Sequence, residues 1–406
     1  MDYRDNINNS KVVDRHILTF FTLICVVSLL VVRGALFYYE SGDYIWFLRY
    51  WVEEYRTMTF IEGLRTNVGT YNPPYMYILN IIARINLPFV NSISSELFLI
   101  KVVSIIFDFI LAYFVMKIVS LRTTSSNVRA VAFLATFAIP TVILNGAMWG
   151  QCDSIYAAFA IGSFYFGLRG RSKMSYAFMA LSLSFKLQAV FLMPILLIFV
   201  ITNRIRLKDC YMFFVVYIAT LMPAIIAGMP LVDALFAYVV QANFYNRLNL
   251  NIVNMWRFFE HVPYHNFRLA GIYFAGFAVL SLIYFTYVNR RRLFKTVDYV
   301  RLAYLFAIII PFLLPKMHDR YYFIADVLSV SVFFYDKRRW YVPVVTIVCS
   351  FISYAAFLMF GVEILDFRIA ALALLAVIIM VLCDFVMSIY PTKNEPSDSV
   401  VEDVFN

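Results

Sequence analysis

The stretch ILTFFTLICVVSLLVVRGALFYY, residues 17–39, decides the fold of this chain. It is long and apolar enough to cross a bilayer as a helix, which takes about 20 residues. The polar segment 1–16, which contains Lys11 and Arg15, precedes it, and no convincing small-residue cleavage site accompanies it. We therefore interpret it as a first membrane helix and not as a removed signal peptide.

The rest of the chain repeats this pattern. Charges delimit eleven further apolar runs, which lie near 97–119, 128–146, 154–168, 174–186, 188–202, 210–228, 267–289, 298–314, 321–335, 341–360 and 367–390. With the first run they predict an all-α polytopic membrane protein of about twelve transmembrane helices. The apolar segments 73–90 and 230–242 are short or interrupted, which predicts re-entrant segments or helices along the membrane surface.

The composition supports this class of protein. Of the 406 residues, 63% are hydrophobic and 15% are charged, against about 25% charged in soluble domains. There is too little polar surface for a soluble enzyme, a disordered regulator or a nucleic-acid-binding domain. We expect a single membrane domain at 1–390 and a polar, acidic tail at 391–406 that is cytoplasmic and disordered.

The net charge is +9, and the distribution of the basic residues along the chain predicts the membrane topology. Basic clusters occur in alternate connections: Lys11 and Arg15; Arg122 and Arg129; Arg169, Arg171 and Lys173; Arg204, Arg206 and Lys208; Arg290, Arg291, Arg292 and Lys295; Lys337, Arg338 and Arg339; and Lys393. The positive-inside rule makes these connections cytoplasmic, with both termini inside. The outer side then carries the connections 40–96, 147–153, 229–266, 315–320 and 361–366. The first of these is long and is predicted to contain juxtamembrane or re-entrant helices.

Five motifs flank apolar runs, and this topology places all five outside. They are Ser41-Gly42-Asp43-Tyr44, Tyr71-Asn72-Pro73-Pro74-Tyr75, Trp149-Gly150-Gln151-Cys152-Asp153, Phe185-Lys186-Leu187-Gln188 and Lys316-Met317-His318-Asp319-Arg320-Tyr321. Chance would scatter such residues over both sides of the membrane. Their shared side predicts a polar cavity that opens outward.

Two of these motifs suggest chemistry. Asp43, at the membrane boundary, is a candidate general base, and the alternative is an interfacial anchor that happens to be acidic. Lys316, His318 and Arg320 surround Asp319 and are candidate phosphate ligands. Their alternative is a juxtamembrane cluster whose members pair with one another.

Other ionisable residues lie in or beside apolar runs. Lys186 lies between two apolar runs with almost no polar residues around it. A charge at membrane depth costs roughly 2.5–3.5 kcal/mol, so Lys186 is either a functional residue or the cap of a tight outer turn. Asp153 begins a helix, where an acid suits the helix dipole, so capping alone would explain it. Asp108 interrupts the run 97–119 and is expected to pair inside the bundle or to be protonated.

The connection 243–257 contains Asn249, Asn251, Asn254 and Trp256. Amides and an aromatic ring suit sugar hydroxyls and ring faces, although a loop rich in turn formers has the same composition. The five cysteines show neither a CxxC pair nor zinc spacing, and the chain lacks phosphate-binding glycine motifs. We therefore expect no metal, no disulfide and no nucleotide site.

The order of the motifs resembles the GT-C superfamily of integral-membrane glycosyltransferases. The pattern consists of an acid after the first helix, a Tyr-x-Pro-Pro segment, Trp-Gly-Gln-x-Asp, a Lys in the next hairpin and a late Lys-x-His-x-Arg-Tyr. It spans about residues 17 to 325. Within the superfamily it is most similar to bacterial relatives of the GPI-anchor mannosyltransferases, and more distantly to dolichyl-phosphate-sugar-dependent glucosyltransferases.

The resemblance implies sugar transfer at the outer membrane face from a polyprenyl-phosphate donor, with mannose favoured, to a lipid-linked or cell-envelope glycan. Asp43 would be the catalytic base, and no second acid follows it at the spacing of an Asp-x-Asp metal motif, which suits a branch without metal or cofactor. The implied donor-phosphate ligands are Lys186, Lys316, His318 and Arg320. The implied substrate-binding residues are Tyr44, Tyr71, Asn72, Gln151, Asp153, Gln188, Asn251 and Trp256.

The pattern looks bacterial, which would make the lipid undecaprenyl phosphate and the membrane the cytoplasmic one. Two other functions stay open. A transporter or flippase of lipid-linked sugars predicts helices broken by Gly or Pro near the middle of the membrane, whereas the polar motifs of this chain gather at one side of the membrane. A scaffold subunit without catalysis would leave the shared side of Asp43, Lys186 and Arg320 unexplained.

Overall fold

The computed structural model describes residues 3–88, 93–242, 246–292, 294–359 and 361–390. The prediction of a disordered cytoplasmic tail at 391–406 lies outside these residues. The described chain is almost entirely helical. Its α-helices are α1 Tyr3–Ala35, α2 Arg49–Thr57, α3 Phe60–Arg65, α4 Pro73–Ile82, α5 Ser95–Val119, α6 Ser126–Phe137, α7 Pro140–Ile143, α8 Asp153–Leu168, α9 Ser172–Phe185, α10 Pro194–Ile201, α11 Tyr211–Ile226, α12 Leu231–Ala242, α13 Tyr264–Val288, α14 Thr296–Leu313, α15 Phe323–Tyr335, α16 Tyr341–Leu358 and α17 Phe367–Ile389.

Shorter elements connect these helices. One π-helical segment, Tyr44–Leu48, leads into α2, and another, Leu144–Trp149, extends α7. The 3₁₀ segments are Leu187–Phe191, Leu207–Cys210, Met255–Phe259 and Lys337–Arg339. Strands β1 Asn249–Leu250 and β2 Met317–His318 pair in parallel, with Asn249 opposite Met317 and Leu250 opposite His318.

Seven helical segments within the described residues are long and apolar enough to cross a membrane: His16–Ala35, Ser95–Val119, Leu207–Ile226, Tyr264–Val288, Thr296–Leu313, Lys337–Leu358 and Phe367–Ile389. An eighth results if α6 and the segment Pro140–Trp149, bent by 53° relative to each other, form one span. The protein is therefore an all-α, multi-pass membrane protein.

Every one of the twelve apolar runs coincides with helix. Four of them, near 154–168, 174–186, 188–202 and 321–335, fold into helices shorter than a full span, namely α8, α9, α10 with its 3₁₀ turn, and α15. Twelve crossings thus remain a prediction. The interrupted segments 73–90 and 230–242 contain α4 and α12.

Local sequence explains where several helices begin. Ser94 and Ser125 accept hydrogen bonds from backbone N–H groups in the first turns of α5 and α6, as N-cap residues do. Proline occupies the first turn of α4, α7 and α10, where its missing N–H costs nothing.

The main core is formed by buried apolar side chains of α5, α8, α9, α10 and α14–α17. The outer helices α1, α11 and α13 instead expose rows of large apolar side chains, such as Phe20, Phe214 and Tyr273. Such surfaces suit lipid as the surrounding solvent.

The basic connections gather at one end of the helix bundle. Arg204 donates to the carbonyl of Leu168 over 3.3 Å and lies over the ring of Tyr299. At the same end Arg292 donates to the carbonyl of Ile389 over 2.7 Å. The five motifs at the predicted outer side lie at the opposite ends of these helices. The fold therefore separates the basic connections from the motifs.

Asp108 is paired inside the bundle, as expected. Arg33 of α1 donates to its Oδ2 over 3.2 Å, and both side chains are fully buried. Ser154 of α8 donates to the other oxygen of Asp108. This pair joins α1, α5 and α8, and it satisfies two charges that would be costly if either stood alone.

Candidate functional site

A cavity of about 710 Å³ lies where the motifs meet. Loops at the ends of α1, α9 and α14, and the connections that lead into α4 and α8, form most of its wall. Nine of the predicted site residues line it: Asp43, Tyr71, Gln151, Lys186, Gln188, Asn251, Lys316, His318 and Arg320. The motifs thus meet at one place, although they are spread over most of the chain.

The segment that carries Asp43 is held in place by a lysine of α5. Lys101 of α5 donates to the carbonyls of Leu36, Phe37 and Tyr39 over 3.1, 2.8 and 2.7 Å. These carbonyls lie at and beyond the end of α1, where backbone acceptors lack helical partners. A buried ammonium therefore caps the first helix just before Asp43.

Ser41 attaches this segment to the Trp149-Gly150-Gln151 turn. Its hydroxyl donates to the carbonyl of Trp149 over 2.6 Å and accepts from the backbone N–H of Tyr44 over 3.2 Å. Gly150 has a φ of +76°, a left-handed conformation that glycine adopts without steric cost. The turn therefore aims the side chains of Trp149 and Gln151 at Asp43.

The two carboxylate oxygens of Asp43 differ. Oδ2 accepts from Nε1 of Trp149 over 2.9 Å, from Nε2 of Gln151 over 2.6 Å and from Nη1 of Arg320 over 3.2 Å. Within the described residues no donor bonds to Oδ1. One oxygen therefore orients the carboxylate, and the other is available to a ligand in the cavity.

Gln151 also connects Asp43 to Tyr71. The hydroxyl of Tyr71 donates to Oε1 of Gln151 over 3.1 Å. This contact fixes the amide so that its N–H group points at Asp43. Burial raises the pKa of Tyr71 well above its usual value, so the phenol stays protonated and keeps donating.

Arg320 lies at the centre of the charged groups. Its guanidinium is 3.2 Å from Asp43, 3.5 Å from Asp153 and 3.7 Å from Asp319, and its side chain is 12% exposed. It also lies 5.2 Å above the ring of Trp149. The pairing of β1 with β2 delivers Arg320 to this position, since Asp319 donates its backbone N–H to Leu250 over 3.1 Å.

Lys186 and Asp153 form a buried ion pair, with side chains 1% and 2% exposed. Asn145 donates to Oδ2 of Asp153 over 2.7 Å. Asp153 lies behind the cavity wall and balances the charges of Lys186 and Arg320. Its position at the start of α8 suits the helix dipole, and its carboxylate is engaged by Lys186, Asn145 and Arg320.

His318 and Asp319 are both uncharged near neutral pH. Burial lowers the pKa of His318 to about 3, and the nearby charges of Arg320 and Lys186 add to this effect. Burial raises the pKa of Asp319 to about 8, with Arg320 opposing the shift and Asp43 adding to it. His318 can therefore offer a ligand a neutral N–H group but no positive charge.

Three further predicted substrate-binding residues lie away from the cavity. Tyr44 is buried, and its hydroxyl lies 2.7 Å from Ser94 Oγ and donates to Glu96 over 3.2 Å. Asn72 donates to the carbonyl of Ser184 over 2.9 Å, and Trp256 donates from its indole to the carbonyl of Leu313 over 2.8 Å. In this structure all three side chains hold loops together.

The sequence analysis missed four residues of the site as individual candidates: Trp149, Arg247, Arg268 and Asp319. Trp149 and Asp319 lie within the motifs but were not singled out for a contact. Arg247 and Arg268 line the cavity; Arg247 belongs to the connection 229–266 that is predicted to lie outside, and Arg268 lies at the start of the apolar run that follows it. Positive charges at the predicted outer side oppose the positive-inside bias, and this is the signal in the sequence that could have found them.

The described residues contain no group of three or more His, Cys, Asp or Glu side chains placed to hold a metal ion. No protein-family model matches this chain, and no curated protein is significantly similar to it. The likeness to GT-C glycosyltransferases therefore rests on the sequence motifs alone.

Proposed function

We propose that the protein is an inverting glycosyltransferase that uses a polyprenyl-phosphate sugar as donor. The acceptor is a hydroxyl group of a lipid-linked or cell-envelope glycan, and the motif resemblance favours mannose as the sugar. The observation that carries this proposal is the carboxylate of Asp43. Three donors hold its Oδ2, while Oδ1 has no donor within the described residues and the side chain lines a large cavity.

The chemistry follows from this geometry. Oδ1 of Asp43 takes the proton of the acceptor hydroxyl while the hydroxyl oxygen attacks the anomeric carbon. The bond between that carbon and the phosphate oxygen breaks, and polyprenyl phosphate leaves with the electron pair. Attack from the face opposite the phosphate inverts the configuration. Because phosphate is a good leaving group, no general acid is needed.

The charge of the cavity supports an anionic donor. Its wall contains five cationic side chains, Lys186, Arg247, Arg268, Lys316 and Arg320, and two acids, Asp43 and Asp319. Positive groups fixed around the leaving phosphate stabilise the charge that develops there. A sugar delivered on a membrane lipid also needs no nucleotide pocket.

The charge distribution of the fold supports an orientation. Because the basic connections lie at the end opposite the cavity, the positive-inside rule favours a cavity at the outer face and both termini in the cytoplasm. We include in the proposal a bacterial cytoplasmic membrane, undecaprenyl phosphate as the lipid and about twelve crossings, with α8, α9, α10 and α15 as the shorter ones.

The test is direct. Purified protein in lipid nanodiscs is incubated with a panel of labelled polyprenyl-phosphate sugars and candidate glycan acceptors, and the transfer of label to the acceptor is measured. We expect one sugar to leave its lipid and to appear in a new glycosidic bond of inverted configuration. If no sugar in the panel is transferred or released, the proposal is wrong.

A transporter or flippase of lipid-linked sugars is the second candidate. The observation in its favour is the 53° break between α6 and the segment that begins at Pro140, because discontinuous helices are typical of transporters. Against it, the charged side chains of the cavity lie at helix ends. Movement of a labelled lipid-linked sugar across a liposome membrane, with no new glycosidic bond, would favour transport over transfer.

A further inference from the structure

Four of the five cationic side chains of the cavity fall into two groups, and the fifth, Lys316, lies over the ring of Tyr264. Arg320 contacts the carboxylates of Asp43 and Asp153 as well as the uncharged acid Asp319, and Lys186 is paired with Asp153 in a nearly inaccessible position. Arg247 and Arg268 line the same cavity but form no ion pair with any described residue. The positive charge of the first group is already balanced by acids of the protein, and that of the second group is not balanced by any acid among the described residues.

We propose that Arg247 and Arg268 bind the phosphate group of the lipid-linked substrate. This inference rests on the proposed function, which supplies the class of ligand. Within the same cavity it moves the phosphate from Lys186 and Arg320 to Arg247 and Arg268. Guanidinium groups bind phosphate oxygens through paired, charge-assisted hydrogen bonds. Arg320 then serves mainly to orient Asp43, and Lys186 to balance Asp153.

The electrostatics favour this division. A phosphate beside Arg320 would face the carboxylates of Asp43 and Asp153, which lie 3.2 and 3.5 Å from that guanidinium. Repulsion between these negative groups would oppose binding. At Arg247 and Arg268 the phosphate meets cations that no described acid neutralises. It can therefore lie on one side of the sugar while Asp43 lies on the other.

Helix α13 supplies a path for the lipid chain. Arg268 is in the second turn of this helix, and Ile272, one turn further along, also lines the cavity and is 39% exposed. Side chains four residues apart lie on one face of a helix. The cavity therefore reaches the outer surface of α13 directly beyond Arg268. A phosphate at Arg268 places its polyprenyl chain along this apolar surface.

The test measures binding without any sugar transfer. The full-length protein in neutral-lipid nanodiscs is titrated with labelled undecaprenyl phosphate, which carries no sugar, and the Kd is determined. We expect Arg268→Gln and Arg247→Gln each to weaken binding about tenfold, because each removes a charge-assisted contact. Arg268→Lys keeps the charge and is expected to lose less affinity than Arg268→Gln.

Arg122→Gln is the matched control. Arg122 is exposed, belongs to a basic connection at the opposite end of the bundle and lies outside the cavity. We expect its Kd to equal that of the unaltered protein, and thermal unfolding curves verify that every variant is folded. Unaltered affinity in both Arg→Gln variants of the cavity, or an equal loss in Arg122→Gln, would overturn the assignment.

Inorganic phosphate distinguishes the headgroup from the chain. We expect it to compete with undecaprenyl phosphate only at concentrations at least about a hundredfold higher, because it gains no burial of apolar surface. Competition at equal concentrations would overturn the proposed chain path. The two proposals can fail separately: sugar transfer tests the role of Asp43, and binding of the sugar-free lipid tests Arg247 and Arg268.

Discussion

Arg320 donates from Nη1 to Oδ2 of Asp43 over 3.2 Å, although the two residues are 277 positions apart in the chain. The contact joins the loop after the first membrane helix to the short connection before α15. It holds the carboxylate at Oδ2 and leaves Oδ1 without a donor within the described residues. The late basic motif and the early acid therefore act as one unit.

Asp43→Asn should abolish sugar transfer while the protein stays folded. The amide of asparagine cannot take the proton from the hydroxyl group of the sugar acceptor. A positioned general base raises the reaction rate about 10²–10⁴-fold. Single-turnover transfer with saturating donor measures the effect. Glu40→Gln is the matched control, because Glu40 is an exposed acid three residues earlier that does not line the cavity. Near-normal transfer by Asp43→Asn would refute the role of Asp43.

Arg320→Gln should destabilise the fold, because it leaves Asp43 and Asp153 without a cation that both contact. Breaking a buried ion pair by removing one partner costs about 3–5 kcal/mol. Thermal unfolding in detergent measures the loss. We expect the second substitution Asp43→Asn to restore part of the stability of Arg320→Gln. Additive losses in the double variant would show that the two residues do not interact.

Much of the helical architecture could be predicted from the sequence. Apolar runs interrupted by charges, such as 97–119, coincide with helices because an apolar segment in lipid must satisfy its backbone hydrogen bonds within itself. The alternation of basic connections then placed the five motifs at one end. That topology predicts a shared end of the bundle, and the packing of the helices then brings most of the motif residues into one cavity.

Individual contacts could not be predicted in this way. Tyr44 and Trp256 look like sugar-binding residues by type, yet Tyr44 bonds to Ser94 and Trp256 to the carbonyl of Leu313. These partners are distant in sequence, so only the packed fold reveals them. Arg247 and Arg268 lie beside a polar connection whose composition gives no periodic signal, and neither was recognised as part of the site.

Trp149→Phe should lower the rate of transfer about tenfold and leave the protein folded. The substitution removes the indole N–H that donates to Asp43 over 2.9 Å, and a hydrogen bond to a charged group contributes about 1.5–3 kcal/mol. The phenyl ring can still stack on Phe357, whose ring centroid is 4.4 Å from that of Trp149. The rate at saturating donor and acceptor is the quantity to measure.

Trp340→Phe serves as the comparison for this variant, since Trp340 is 61% exposed and lies at the basic end of the bundle. It should transfer sugar at the unaltered rate. If Trp149→Phe also kept the full rate, the indole contact would contribute nothing to catalysis.

Donor affinity should fall as the pH rises through about 8. Burial raises the pKa of Asp319 to about 8, so this side chain is neutral below that pH and adds a negative charge to the cavity above it. A negative charge in the cavity opposes binding of a phosphate. The KM for the donor measured from pH 6 to 9 should rise on the alkaline side, and Asp319→Asn should remove that rise. An unchanged alkaline rise in Asp319→Asn would contradict this origin.

Asp319 should also make stability depend on pH. Its pKa in the folded protein, about 8, is higher than the ordinary value of 3.8. The folded state therefore holds a proton that the unfolded state releases, and this stabilisation is lost as the pH rises from about 4 to about 8. The Tm of the unaltered protein should fall relative to that of Asp319→Asn over this range. A constant difference in Tm would show that Asp319 titrates normally.

Lys186→Met should destabilise the protein strongly, and adding Asp153→Asn should recover much of the loss. Lys186 and Asp153 are almost inaccessible and contact each other. Removing the lysine alone leaves the buried carboxylate of Asp153 with Arg320 as its cation, which also contacts Asp43. Removing one partner of a buried ion pair costs about 3–5 kcal/mol. We expect the double variant to bind undecaprenyl phosphate with nearly unaltered Kd, because the phosphate contacts Arg247 and Arg268. A double variant that is stable but binds this lipid tenfold more weakly would instead assign Lys186 to the phosphate.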